Sequence, residues 1–161
     1  MQKGYGAAAR PRTNGDASCG ILLIDLKQAH DGLVAAMAEL ALVNRDAVGD
    51  RTRFTNARWR ISQKSLGRRL LWNRILAYLQ PRVGAEDAAT LTQLQKADAE
   101  LLRHSASHVR DWTTNAIEQK WGGYCDASRA IRWQMSSNVG AEKRLLYPLL
   151  GRCAEQGFGA H

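Results

Sequence analysis

Apolar residues recur at helical intervals along most of the chain. Leu26, Leu33, Met37 and Leu40 keep to one side of a helix predicted from about residue 21 to 44, and His30 falls on that same side. Val48-Gly49-Asp50 reads as a turn, after which Asp50 or Thr52 can cap a second helix. That helix continues to about Leu79, where Pro81 stops it and Gly84 opens the next loop. Glu86 and Asp87 place negative charge at the start of a third helix, where the helix dipole favours it, and the pattern carries on to about Trp121. Gly122-Gly123 is expected to end it. Asp126 or Ser128 caps a fourth helix bearing Ile131, Met135, Leu145, Leu146 and Leu149 as far as Gly151, with Pro148 expected to kink or end it. Short loops between four helices predict an all-α chain folded as an up-down-up-down antiparallel four-helix bundle. The expected layout is an N-terminal tail over 1–20, a bundle over 21–151 and a C-terminal tail over 152–161.

One stretch departs from the apolar pattern. His104 and His108 lie four apart in the third helix, so both imidazoles leave one face a turn apart. The stripe continues through Leu94 and Leu101 on one side and Asp111 and Asn115 on the other. A His-x3-His pair on the inner face of a bundle is a metal-ligand arrangement, and it is equally a way to build a buried polar network.

Charge changes the picture in the second helix. The net charge is +8, and residues 51–82 carry nine basic side chains and no acid, interleaved with Trp59 and Trp72. Such a segment reads first as a solvated cationic face; it can also attract an acidic protein, an anionic membrane or nucleic acid. The cations are spread round the helix rather than gathered on one stripe, and no nucleic-acid-binding signature accompanies them, which disfavours nucleic acid. Arg58, Arg69 and Arg74 are the residues expected to meet an acidic protein partner. Cys19, Cys125 and Cys153 are odd in number and far apart, which suggests neither a disulfide framework nor a zinc ribbon; ordinary thiols in a reducing cytoplasm are the expectation. The apolar run 21–24 is stopped by Asp25, too early for a membrane span.

Three segments together, Lys27-Gln28-Ala29-His30-Asp31-Gly32-Leu33, the pair His104/His108, and Glu142-Lys143-Arg144-Leu145-Leu146-Tyr147-Pro148-Leu149-Leu150, resemble the hemerythrin-like (HHE cation-binding) domain. The resemblance covers about residues 21 to 150. It implies a four-helix bundle that holds two irons with histidines from all four helices and two bridging carboxylates. His30 matches the first-helix ligand, His104 and His108 the third-helix pair, and Glu142 the bridging carboxylate of the fourth. Counting back from Pro148 and from Pro81 puts Asn138, Leu71 and Ile75 where the family has two histidines and a glutamate. Leucine and isoleucine coordinate nothing, so a di-iron centre is not expected.

If position 71 faces the interior, so do Arg68 and Lys64, three and seven residues earlier. The expected inward polar set is therefore His30, Lys64, Arg68, His104, His108, Asp111, Asn115, Asn138 and Glu142. Two readings follow. In one, His30, His104, His108 and Glu142 bind a single Fe or Zn ion. In the other, no metal is held and a guanidinium meeting a carboxylate keeps the polar interior satisfied. With no triad order, no phosphate loop and no second carboxylate opposite Glu142, an enzyme is the weakest reading. The preferred one is a non-catalytic interaction or regulatory module, with a single-metal sensor as the alternative.

Overall fold

The computed structural model describes residues 17–46 and 50–157, and these are helical throughout, with no strand among them. The helices are α1 (Ala17–Arg45), α2 (Arg51–Leu79), α3 (Ala85–Asp111), the short α4 (Thr114–Gln119) and α5 (Trp121–Gln156). Each long helix buries residues that alternate three and four apart, the repeat that keeps one stripe facing its neighbours. On α1 the stripe includes Cys19, Leu22, Leu26, His30, Leu33, Met37 and Leu40. On α2 it is Ala57, Ile61, Ser65, Arg68, Trp72, Ile75 and Leu79, on α3 Leu91, Leu94, Asp98 and Leu101, and on α5 it includes Met135, Val139, Glu142, Leu146, Leu149 and Cys153.

Cross-links fix the register. Between α1 and α5 the pairs are Cys19–Cys153 (a disulfide), His30–Glu142 and Asn44–Ser128. Steps of eleven and fourteen residues up α1 are matched by the same steps down α5, so the two helices keep step over their whole contact. Arg60–Glu39 and Arg53–Asp46 join α2 to α1 in the same reversed order, and Arg152–Asp87 and His104–Gln134 join α5 to α3.

Helix ends follow local chemistry. The Asp50 carboxylate accepts from the Arg53 amide at 2.9 Å and caps α2. The third helix stops at Asp111, ten residues short of the expected Trp121, because Thr113 turns the chain out and caps α4 by accepting from the Ala116 amide. The glycine pair does not end a helix: Gly122 and Gly123 lie inside α5. A Cβ on Gly123 would come within 3.1 Å of the Trp112 ring, so the missing side chain serves packing at that crossing. Pro148 does not end α5 either. It forfeits one intrahelical hydrogen bond, but buried Leu149 and Leu150 and the tie from Cys153 to Cys19 hold the turns beyond it to Gln156. Helix also extends into both expected tails, since α1 starts at Ala17 and α5 runs to Gln156; residues 1–16 and 158–161 lie outside the described residues.

The cysteine expectation is overturned. Cys19 and Cys153 are fully buried and joined, with Cα atoms 5.8 Å apart, across a sequence separation of 134. Three cysteines with one to spare concealed the pair, because only the register of α1 against α5 brings those two positions to one level. Cys125 is the free thiol, and burial with Asp126 beside it pushes its pKa up, so it is not an activated nucleophile.

The interior divides into two apolar clusters. One joins Cys19, Leu22 and Leu26 to Trp72, Ile75 and Leu79 of α2, Leu91 and Leu94 of α3, and Leu146 and Leu149 of α5. The other joins Leu33, Met37 and Leu40 to Ala57, Ile61, Leu101, Met135 and Val139. A polar layer lies between them.

Candidate functional site: a buried ion-pair layer

The four long helices each contribute one charged or titratable side chain to this layer: His30, Arg68, Asp98 and Glu142. Each occupies a position of the buried stripe flanked by apolar residues, except that Ser65 precedes Arg68 on α2, so the layer follows directly from the register. Arg68, 2% exposed, is its centre. The guanidinium donates from Nη1 to Asp98 Oδ1 at 2.9 Å, from Nε to Glu142 Oε2 at 3.3 Å, and from Nη2 to Glu142 Oε1. Glu142 Oε2 also meets His30 Nε2 at 2.6 Å, and His30 Nδ1 meets the Tyr147 hydroxyl at 2.6 Å, with the two rings stacked 5.5 Å apart.

The electrostatics are those of a mutually satisfied set. Burial alone would push the Glu142 carboxyl up, but the His30 hydrogen bond and the Arg68 charge and hydrogen bonds outweigh it and hold the group below the usual carboxylate range. Burial likewise works against the Arg68 charge, and Glu142 and Asp98 more than offset it. The Tyr147 phenol, partly buried and near Asp31 and Glu142, is pushed up to about 12 and keeps its proton. A protonated Tyr147 can donate to Nδ1, which fixes the His30 tautomer with Nε2–H directed at Glu142.

Several residues expected to join this set are elsewhere. His104 is exposed on α3 and bonds Gln134, because its helical angle lies well off the stripe through Leu94, Asp98 and Leu101. His108 is half-buried and packs against Tyr124 below the layer, where burial first, and then the Arg58 charge, lower its pKa. Asp111 is exposed and bonded to Ser107 and Arg110, and Asn115 is exposed on α4, since the helix carrying the histidine pair has already ended. Lys64 is exposed: the end of its side chain, ammonium included, lies against Gly32 of α1. Asn138 is half-buried and donates to the Ala97 carbonyl, tying α5 to α3 beside the layer. Arg58, Arg69 and Arg74 do not share one surface. Arg58 and Arg69 are partly buried towards α3, whereas Arg74 is exposed on the far side of α2. Arg58 is also occupied, donating to the Trp112 carbonyl and lying over the Phe54 and Tyr124 rings.

The residue that sequence reasoning missed is Asp98. Its signal was available, since Leu91, Leu94 and Leu101 mark the α3 stripe and Asp98 is the one acid on it.

No family model, curated protein or solved structure matches this chain. The ligand set suggested by resemblance is therefore weighed on this chain's own geometry. Of the four expected metal ligands, only His30 and Glu142 meet, and both Glu142 oxygens are already bonded. Leu71 and Ile75 are buried at the α2 positions where further donors would be needed. Among the described residues no group of three or more His, Cys, Asp or Glu is placed to hold a metal ion. These donors do not fit an iron or zinc centre, and the guanidinium supplies the positive charge among them.

Proposed function

We propose that the protein is an up-down-up-down antiparallel four-helix bundle of the hemerythrin-like kind whose interior is a metal-free ion-pair layer, and that it acts as a non-catalytic interaction or regulatory module. The observation that carries this reading is Arg68, buried at 2% exposure and bonded to carboxylates from two other helices. A reactive centre needs an acid, a base or a coordination position left open to substrate. Here the charges are spent on one another between two apolar clusters. A buried ionic layer of this kind serves register, because a shifted helix would leave a charge unpaired.

The unbalanced positive charge of α2 favours an acidic partner. Among the nine cations of residues 51–82, Arg51, Arg53 and Arg60 pair with acids and Arg68 is buried, while Lys64, Arg69 and Arg74 have no ion pair among the described residues. No helix among the described residues is long and apolar enough to cross a membrane. The disulfide removes the cysteine argument for a reducing compartment.

The test is affinity capture with the full-length protein and with a variant carrying charge reversals at Lys64, Arg69 and Arg74. Acidic partners retained by the first and lost by the second are the expected result. Identical capture by both, or none by either, overturns the reading. Steeply salt-dependent binding of an unspecific oligonucleotide would instead favour a nucleic-acid binder.

A further inference from the structure

Below the ion-pair layer α2 and α3 stand apart. Small side chains line both walls, Ser62 and Ser65 on α2 and Ser105 and Ala106 on α3, and the space that larger residues would fill is left as a groove of about 450 Å³. Its floor is apolar, with Leu40, Ile61 and Met135 contributed by three helices. Its lips are apolar and open to solvent: Leu66 is 45% exposed, Leu102 41% and Val109 62%. An apolar surface of this shape, rimmed by charge, is what an amphipathic helix covers.

Two polar features give the groove a sign. The Arg69 Nε and the Ser105 Oγ, on residues that line it, are buried and have no hydrogen-bond partner among the described residues, and both can donate. Arg58 stands at one end and Arg69 towards the other, on a helix that carries eight cations and no acid over Arg51–Leu79. No acidic side chain lines the groove. The span from Arg58 to Arg69 is roughly 16 Å, about three turns of a docked helix.

We propose that the α2–α3 groove is the docking site for an acidic amphipathic helix of a partner protein, its apolar face on Leu66, Leu102 and Val109 and its carboxylates on Arg69. Charge complementarity selects this occupant. The chain's own N-terminal segment 1–16 carries three cations and one acid, and a second copy of α2 would bring eight more positive charges to a positive rim. The inference rests on the interaction-module reading and specifies its partner.

The experiment titrates full-length isotope-labelled protein with a synthetic helical peptide of about 14 residues, Leu on one face and Glu elsewhere. Two controls accompany it: the Lys-for-Glu version and a scramble that destroys the apolar face. Expected are amide shifts concentrated at Leu66, Arg69, Leu102, Ser105 and Val109, with at least tenfold weaker binding by both control peptides. The Leu102→Glu and Val109→Glu variants should also bind at least tenfold more weakly. Both residues are solvent-exposed, so unchanged circular dichroism certifies their fold, and Ala106→Trp, which fills the groove from an exposed position, is a second route to the same loss. Shifts confined to Lys64 and Arg74, with groove variants binding normally, overturn the groove while leaving the basic-surface module standing. Equal binding of the Lys peptide, absence of any shift, or a concentration-dependent dimer that protects the groove each overturns the proposal.

Discussion

Replacing Arg68 by methionine removes the guanidinium while keeping an unbranched stem and much of the volume of the side chain. Three hydrogen bonds to carboxylates disappear, two at Glu142 and one at Asp98. Glu142 is 2% exposed and would retain only the His30 contact, whereas Asp98, at 9%, has some access to water. Breaking a buried pair by deleting one partner costs about 3–5 kcal/mol, and the Glu142 carboxylate is the larger part of that loss. Adding Glu142→Leu removes the stranded charge, so the double variant should be less destabilised than the two single losses predict, with a coupling of about 2 kcal/mol. Urea unfolding of the four proteins measures both quantities. The pH response provides a separate check. In the wild type Glu142 titrates below its unfolded value, so its contribution is complete above the unfolded pKa and is lost as pH falls through the folded one. Without Arg68 the folded pKa rises, because burial then opposes only the His30 contact, so acidification costs the variant less stability than it costs wild type. A loss under about 1 kcal/mol, additive singles and parallel pH curves would refute the reasoning.

Other consequences are open to measurement. Cys19→Ala with Cys153→Ala removes a cross-link closing a loop of more than a hundred residues, which on the chain-entropy estimate lowers stability by about 4–5 kcal/mol. Equal urea midpoints for oxidised protein and the double variant would contradict that. Leu146→Ala, at a fully buried position in the cluster above the layer, should cost about 2–5 kcal/mol in the same assay. The folded-state pKa of His108 is lowered by burial and by Arg58, only partly countered by Asp111, so the unfolded chain binds the extra proton first and stability rises with pH through the window below the ordinary histidine value. His108→Gln should flatten that segment of the stability–pH curve, and an unchanged slope would count against the assignment.

The helices and much of the core were legible in the sequence because the three-and-four spacing of Leu26, Leu33, Met37, Ile75, Leu94 and Leu146 is a local property. So was the polar character of the interior at His30, Arg68 and Glu142. Where the reading failed, non-local or short-range detail had decided the outcome. His104 and Asp111 were counted inward by extending a His-x3-His motif, although Leu91, Leu94 and Leu101 define a stripe that passes through Asp98 instead. Lys64 sits at a flanking position where only the absence of a side chain on Gly32 tells which way the stem runs. The glycine pair near residue 122 looked like a terminator because nothing local announces the approach of the Trp112 ring. Cys19 and Cys153 are at opposite ends of the described chain, and their pairing depends on an α1–α5 register that only the tertiary fold supplies.

The most direct test of a metal-free interior is the metal content of protein produced in iron- and zinc-supplemented medium and purified without chelator, with the urea midpoint taken before and after EDTA. Content far below one ion per chain and an unchanged midpoint are predicted. Content near one ion per chain, lost on chelation or on His30→Ala together with stability, would contradict an interior held by Arg68.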